Sequence, residues 1–178
     1  MFVKSKRLVI LVGEDRTGKA QLQKNLVKLL SDDNRDIRLD CNLVFQVTHP
    51  HLIRKLRDFS IGNRSYQEKL QDYNSVTDYF RNHFRAADLC FISSHLNASD
   101  IQEMIIEGHR RFYNVCGLFF SNSISADPDG NMAASELAWD ERWLATNDYT
   151  TDEEQQNRQL QYIAEMLLQM LIERTRGW

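Results

Sequence analysis

The stretch that decides the fold is residues 7–30, RLVILVGEDRTGKAQLQKNLVKLL. Its first part, residues 8–12, is a run of apolar and mostly β-branched residues, which predicts a fully buried parallel strand. A turn with glycine at positions 13 and 18 follows. Beyond the turn, leucines recur at the spacing of one helical face, at Leu22, Leu26, Leu29 and Leu30. The sequence therefore predicts a strand, a glycine turn and a helix.

The turn matches the spacing G-x-x-x-x-G-K of a phosphate-binding loop, or P-loop. In such a loop the glycines let backbone N–H groups curve around a phosphate, and the helix N-terminus adds partial positive charge. Lys19 would extend toward the β- and γ-phosphates. The alternative is an ordinary glycine turn of an α/β protein. We predict phosphate binding by Gly13, Glu14, Asp15, Arg16, Thr17, Gly18, Lys19 and Ala20.

The residue after the lysine departs from the motif. The motif has Ser or Thr at this position because the hydroxyl group ligates Mg²⁺, and this chain has Ala20. We therefore expect the loop to bind an anion and to hold a metal ion weakly. Glu14 and Asp15 are also unusual, because two carboxylates repel phosphates unless they bind a sugar hydroxyl, a metal or Arg16. They indicate a second ligand beside the loop.

The composition is typical of one globular domain spanning residues 1–178. Apolar residues make up 42% of the 178 residues and charged residues 26%. The net charge of −3 gives no electrostatic case for nucleic acid or an anionic membrane as partner. No stretch approaches the roughly eighteen apolar residues of a membrane span. We expect a cytoplasmic protein.

The three cysteines lie in strand-like runs and form no C-x-x-C pair. They are Cys41, Cys90 and Cys116. We interpret them as small buried apolar residues in a reducing compartment, and not as disulfide or zinc ligands.

Strands and helices alternate along the rest of the chain. We predict strands within residues 36–47 and at residues 89–92, 115–120 and 143–146. We predict helices at residues 51–59, 65–85 and 99–113 and from Thr151 toward the C-terminus, with loops at residues 60–64 and 121–131. This alternation predicts a three-layer α/β/α fold with a parallel sheet of about five strands. Ligands then bind beyond the C-terminal ends of the strands, beside the glycine turn.

The third strand ends in Ser93, Ser94 and His95. Adjacent residues at a strand end point to opposite faces, so they do not form a nucleophile–base pair with one another. They lie at the predicted ligand crevice, where they either hydrogen-bond a ligand or cap the loop. Two further patterns do not fit metal sites: His49 and His51 lack a third ligand at suitable spacing, and residues 127–131 depart from a calcium loop.

The segment GEDRTGKAQLQKNLVKLL resembles the thymidylate kinase family of P-loop nucleoside-monophosphate kinases, whose loop often reads D-R-x-G-K-S-T-Q. Two weaker likenesses are residues 48–50, where the family has R-E-P, and residues 143–163, which resemble its last strand and helix. The likeness of individual residues covers about the first thirty positions.

The resemblance implies ATP on the loop, with Mg²⁺ weakened by Ala20, and an acceptor nucleotide in an adjoining cleft. Lys19 and Arg16 would stabilise the transferring phosphoryl group, and Asp15 would face the sugar of the acceptor. Arg54 and Arg57 match the acceptor region only loosely. With Ser93 at the crevice, they are our candidates for substrate binding.

The chain also departs from the family's pattern. The family has Asp-Arg after its third strand, whereas this chain has Ser93-Ser94-His95. Between the fourth and fifth strands the family has a lid that bears arginines, whereas residues 121–142 of this chain contain a single arginine, Arg142. We therefore hold two hypotheses: a nucleotide kinase, or a degenerate kinase fold that senses a nucleotide or binds a protein. The last helix carries an apolar stripe with Met166 and Met170 beside it, and this face would suit a homodimer or a protein partner.

Overall fold

The computed structural model describes residues 6–32, 39 and 42–175. The strands of this part are β1 (Lys6–Val12), β2 (Leu43–Gln46), β3 (Asp58–Gly62), β4 (Leu89–Ser94), β5 (Tyr113–Phe120) and β6 (Glu141–Ala145). Its helices are α1 (Lys19–Ser31), α2 (Leu70–Tyr73), α3 (Val76–Asn82), α4 (Ala98–Arg110), α5 (Ser121–Ala126), α6 (Pro128–Ser135) and α7 (Glu153–Arg174). A short 3₁₀ turn, Gln67–Lys69, precedes α2.

The strands form one sheet in the order β2-β3-β4-β1-β5-β6. Every neighbouring pair is parallel except β2 and β3, which are antiparallel. Helices α1 and α7 pack on one face of the sheet, and α3, α4 and α6 pack on the other. The predicted three-layer α/β/α fold is therefore confirmed, with six described strands where we expected about five.

Strand β1 is buried on both faces because it lies between β4 and β5. Leu8, Ile10 and Val12 belong to the core beneath α4, whereas Val9 and Leu11 belong to the core beneath α1. Such a strand needs apolar residues at every position and not only at alternate ones. This requirement explains why the run of residues 8–12 is continuous.

The C-terminal ends of β1, β3, β4, β5 and β6 lie at one edge of the sheet. Val12 is in register with Ser94 of β4 and with Phe119 of β5. The chain leaves β1 toward α1 on one face, and it leaves β5 toward α6 on the other face. Strand β1 is therefore at the point where the connections change face, which is where open α/β sheets bind ligands.

Residues 51–64 differ from the prediction of a helix followed by a loop. Turns at residues 50–55 lead into strand β3, which pairs in parallel with β4. Phe59 and Ile61 face the α1 side of the sheet. With only two apolar residues, the strand is too short for its alternation to stand out in the sequence, and pairing with β4 determines its structure.

The single helix predicted at residues 65–85 is wrong. Helices α2 and α3 are separate because Asn74 has a left-handed backbone (φ +54°) and Ser75 starts the second helix by accepting a hydrogen bond from the Asp78 amide. The aromatic residues that suggested one helix contact one another across the break. The Tyr73 and Tyr79 rings, for example, have centroids 4.9 Å apart.

Residues 121–131, predicted as a loop, form most of α5 and α6. The Asp127 carboxylate accepts the Gly130 amide hydrogen at 2.9 Å, and Pro128 occupies the first helical position. Both features are helix-start signals that the sequence already contains. The helices escaped prediction because they are short and carry little apolar periodicity.

Other predicted elements are confirmed within the described residues. Strand β2 lies inside the predicted residues 36–47, and positions 36–38, 40 and 41 lie outside the described part. Cys90 and Cys116 are buried and free, whereas Cys41 is also outside that part. Helix α7 begins at Glu153, because the Asp152 side chain accepts hydrogen bonds from the Glu154 and Gln155 amides.

Candidate functional site

The glycine loop, residues 13–20, connects β1 to the first turn of α1. Three hydrogen bonds hold its shape. The Gly13 amide donates to the Ser94 carbonyl at 3.1 Å, and the Thr17 hydroxyl donates to the Glu14 carbonyl at 2.9 Å. The Asn147 side-chain amide, from the loop after β6, donates to the Thr17 carbonyl at 3.0 Å. The loop is therefore tied to the end of β4 and to the loop after β6.

Left-handed backbone conformations turn the loop sharply at Arg16 (φ +64°) and Gly18 (φ +98°). A side chain at position 18 would have no room, because an added Cβ would lie 2.7 Å from Cδ2 of Leu160 in α7. Left-handed residues within a turn bring neighbouring N–H groups to the same side and create a concave anion site. Glycine at position 18 is thus required both by its φ angle and by the approach of α7.

The backbone N–H groups of the loop are available to a ligand. In the described part of the chain, no backbone hydrogen bond outside helices and strands uses the amide N–H of residues 15–19. The Lys19 and Ala20 amides open a helix, where no intrahelical acceptor exists. Unpaired N–H groups together with a helix N-terminus form a ready site for phosphate.

The Lys19 side chain folds back onto the start of this loop. Its Nζ donates to the carbonyl of Gly13 and to that of Glu14, the latter at 2.8 Å. Burial lowers the pKa of Lys19 to about 8, although the carboxylates of Asp15, Glu14 and Glu68 oppose the shift. A partly buried ammonium whose hydrogen bonds go to neutral carbonyl groups gains from the arrival of an anion.

The loop forms one wall of an open cleft of about 570 Å³. The other walls come from α1, from the start of α7, and from segments that follow β3, β5 and β6. Its remaining lining residues are Gln21, Lys24, Asn63, Ser65, Glu68, Asn122, Asp148, Tyr149, Thr150, Glu153, Gln156, Asn157 and Leu160. The cleft thus combines the Arg16 and Lys19 cations of the loop with acidic residues of the loop and of the other walls.

Among the described residues that line this cleft, Tyr149 is the one with an aromatic side chain. Its side chain is 83% exposed, although it belongs to the loop that packs against the glycine loop. An exposed aromatic ring beside a phosphate site provides a face on which a nucleobase can stack. Tyr149 and Asn147 were not among our predicted site residues, since nothing in the sequence links residues 147–149 to the loop.

His95 lies on the other side of the glycine loop. Its Nε2 is 3.4 Å from Oδ1 of Asp15, and its Nδ1 is 3.6 Å from Oε2 of Glu14. The Leu96 amide donates to Glu14 Oε1 at 2.9 Å. The two carboxylates of the loop therefore face the end of β4, as the sequence suggested in placing residues 93–95 at the crevice.

The predicted substrate-binding residues do not join the loop. Ser93 is 2% exposed and accepts a hydrogen bond from the Gln23 side chain. Arg57 pairs with Asp88 at 3.5 Å, just before the start of β4. The glycine loop lies beyond the other end of this strand, about 20 Å away at about 3.3 Å per residue. Arg54 is exposed in the turns of residues 50–55, before β3.

The hydroxyl group with which the motif ligates Mg²⁺ is absent from this loop, because residue 20 is alanine. Ala20 is exposed and offers a methyl group where the motif has a hydroxyl. The nearby Thr17 hydroxyl is bonded to Glu14. Arg142 donates to the Ser135 carbonyl, and it is not among the residues that line the cleft. The loop residues present therefore fit the phosphates of a nucleotide, but they do not supply a hydroxyl ligand for Mg²⁺.

A second cavity, of about 510 Å³, lies between β6 and α7 and is mostly apolar. Leu144, Tyr162 and Met166 line it and are more than half exposed. Strand β6 is an outermost strand of the described sheet, with a neighbouring strand on one side only. No described helix combines the length and apolar character needed to cross a bilayer.

Comparison with models of known protein families gives no match, and comparison with curated protein sequences gives none either.

Proposed function

We propose that this chain binds a nucleotide, with the phosphates on the glycine loop. The observation that carries the proposal is that, among the described residues, the backbone N–H groups of residues 15–19 have no backbone acceptor, and that they belong to the same loop as the Lys19 ammonium. Backbone N–H groups of this kind bind phosphate oxygens without regard to the rest of the ligand. The resemblance of the loop to thymidylate kinases supports ATP as the ligand.

Tyr149 supports a nucleotide over a simple polyphosphate. Its exposed ring belongs to the same cleft as the loop, and stacking of a base on an aromatic ring is worth about 1–3 kcal/mol. The cleft volume of about 570 Å³ is within the range of small-molecule sites. Phosphates on the loop and a base at Tyr149 would both contact residues that line this cleft.

We favour nucleotide sensing over efficient phosphoryl transfer. Phosphoryl transfer depends on positive charge around the moving group. In the described part of the chain, the cleft offers only Arg16 as an arginine, together with Lys19 and Lys24, and it faces acidic Asp15, Glu68, Asp148 and Glu153. If transfer occurs, Lys19 and Arg16 would stabilise the phosphoryl group and Asp15 would orient the acceptor.

A protein-interaction role is the second candidate, and the apolar groove between β6 and α7 favours it. A single edge strand and an exposed apolar helix face are features on which a protein or a second copy of this chain could bind. This role is compatible with nucleotide sensing, because β6 leads directly into the loop that carries Tyr149.

The test is calorimetric titration of ATP, with and without Mg²⁺, into the wild type, Lys19→Ala and Lys28→Ala, with dTMP titrated in parallel. Lys28 is the matched control because it is exposed on the same helix, away from the loop. We expect ATP to bind the wild type and Lys28→Ala and to lose affinity for Lys19→Ala. Binding of dTMP would add support for a kinase. Absence of ATP binding to the wild type would contradict the proposal.

A further inference from the structure

Three metal-ligating side chains meet beside the glycine loop. Asp15 comes from the loop, Glu68 from the turn Gln67–Lys69, and His95 from the end of β4. One donor atom of each lies within 4.8 Å of the donor atoms of the other two. Three separate segments of the fold therefore bring two oxygen donors and one nitrogen donor to the same point.

The nitrogen that His95 contributes to this group of donors, Nε2, is buried. This atom is inaccessible to solvent and has no hydrogen-bond partner among the described residues. A polar atom buried without a partner costs free energy, and such atoms are uncommon in folded proteins. A bound cation would satisfy the lone pair of Nε2, which the nearby Asp15 carboxylate does not.

The spacing of the donors fits a tetrahedral metal ion. Two ligands of a tetrahedral Zn²⁺ with bonds of about 2.1 Å lie about 3.4 Å apart. The distance from Asp15 Oδ1 to His95 Nε2 is 3.4 Å. The Glu68 carboxylate accepts the Ser65 amide hydrogen on Oε2 at 3.0 Å, and it places a donor oxygen within 4.8 Å of the Asp15 and His95 donor atoms.

A second set of contacts fixes the orientation of His95. Its Nδ1 faces Glu14 Oε2 at 3.6 Å, and its backbone amide donates to the Gln67 side chain at 3.0 Å. Metal-bound histidines usually present their second ring nitrogen to a carboxylate or carbonyl, which sets the tautomer. Gln67 also precedes Glu68, so one side chain links the turn that carries Glu68 to the end of β4.

We propose that Asp15, Glu68 and His95 form a binding site for a divalent ion of the Zn²⁺ or Co²⁺ class. An imidazole ligand favours these ions over Mg²⁺ and Ca²⁺, which prefer oxygen donors alone. The ion would balance carboxylates that otherwise repel one another and any bound anion. It would also supply the metal position that Ala20 cannot provide.

Three protein ligands leave a fourth position of a tetrahedral ion open. Beside the glycine loop, that position would accept a phosphate oxygen of the bound ligand or a water molecule. This contact with a ligand phosphate rests on the proposed nucleotide site, whereas the metal site itself does not. The two ideas can therefore be tested separately.

The test is titration of Co²⁺ into the metal-free full chain without nucleotide, followed by visible absorption and then by competition with Zn²⁺ and with Mg²⁺. We expect one Co²⁺ per chain, with the strong visible bands of tetrahedral coordination. Zn²⁺ should displace it, and Mg²⁺ should not. Absence of Co²⁺ binding would overturn the proposal.

Variants locate the site. His95→Gln and Glu68→Gln should each weaken Co²⁺ binding by at least about 10-fold, the cost of losing even an outer-shell partner. His109→Gln is the control, because His109 lies in another exposed histidine–carboxylate pair, 2.9 Å from Asp140. Wild-type affinity in both His95→Gln and Glu68→Gln would overturn the assignment. If His95→Gln does not fold, the exposed Glu68 decides the question.

A further comparison separates this proposal from the nucleotide site. Lys19→Ala should keep its Co²⁺ site, since Lys19 is not a ligand, and ATP titration in the presence of a chelator examines the loop alone. Metal binding without ATP binding would retain the metal site and reject the nucleotide. ATP binding without metal binding would retain the nucleotide site and reject the metal site.

Discussion

The side-chain amide of Asn147 donates a hydrogen bond of 3.0 Å to the backbone carbonyl of Thr17. This bond joins the loop after β6 to the glycine loop after β1. Ser121 holds the backbone of Asn147 in place. The backbone N–H of Asn147 donates to the Ser121 hydroxyl at 2.8 Å, and the backbone carbonyl of Asn147 accepts from the same hydroxyl at 2.9 Å. The ends of β1, β5 and β6 are therefore connected through one buried asparagine.

Replacing Asn147 with alanine should loosen the glycine loop. The change leaves the buried Thr17 carbonyl without its partner, which costs about 1–3 kcal/mol of unfolding free energy. We also expect ATP affinity to fall, because the loop loses a constraint that keeps it ready for phosphate. Urea unfolding and ATP calorimetry measure the two effects. Asn82→Ala, which removes an exposed side-chain bond to Asp78, should change neither quantity appreciably.

Lys19 should make stability depend on pH. Its pKa is lowered by burial from 10.5 to about 8, so between these values the unfolded chain holds more protons than the folded chain. Stability from this group therefore rises with pH across that window. Lys19→Met removes the buried ammonium and should stabilise the protein below the window by up to about 3 kcal/mol.

Urea unfolding at about pH 7 and about pH 10 checks this prediction, because the advantage of Lys19→Met should shrink at the higher pH. Lys28→Met, on an exposed part of the same helix, serves as the control and should show no such change. An advantage for Lys19→Met that is equal at both pH values would contradict the assigned burial of Lys19.

Gly18→Ala should be strongly unfavourable. The left-handed φ angle alone costs a non-glycine residue about 1–2 kcal/mol, and the new Cβ would also meet Leu160 at 2.7 Å. The clash should be relieved in the background of Leu160→Ala, although the cost of the φ angle remains. A double-mutant cycle in urea measures the coupling. Additive effects of the two changes would contradict close packing of α7 on the loop.

Arg54→Ala and Arg57→Ala should leave ligand affinity unchanged. Arg57 pairs with Asp88 at the end of the sheet opposite the glycine loop, and Arg54 is exposed in the turns that precede β3. The Arg57 pair is mostly exposed on its cationic side, so its contribution to stability is within about 1 kcal/mol. Calorimetry of the two variants with ATP and with dTMP checks the prediction. A loss of dTMP affinity would restore these residues as acceptor ligands.

The strand, glycine turn and helix of residues 7–30 could be predicted because each part has its own local signal. A run of five apolar residues, two spaced glycines and leucines at helical spacing leave few alternatives. Strand β3 had no such signal, because its two inward residues, Phe59 and Ile61, are too few to show a period. Its structure depends on pairing with β4, which lies far along the chain.

The site was predictable only where it lies in one segment. Lys19 follows from the motif, and Glu14 and Asp15 lie within it, but Glu68 and Tyr149 lie far from it in sequence and belong to no motif of their own. Only folding brings them to the edge of the sheet where β1 ends. Arg54 and Arg57 illustrate the opposite case, since a loose positional likeness suggested a role that their distance from the loop does not support.

The most direct test of phosphate binding by the glycine loop is an NMR titration of ATP into ¹⁵N-labelled protein, observing backbone amide resonances. The amide proton resonances of N–H groups that donate hydrogen bonds to phosphate oxygens should shift downfield. The largest changes should therefore occur at residues 15–19. Lys28 and Asn82, which lie away from the cleft, should be unaffected. Titration of ATP without changes at residues 15–19 would contradict the account, even if ATP binds elsewhere on the protein.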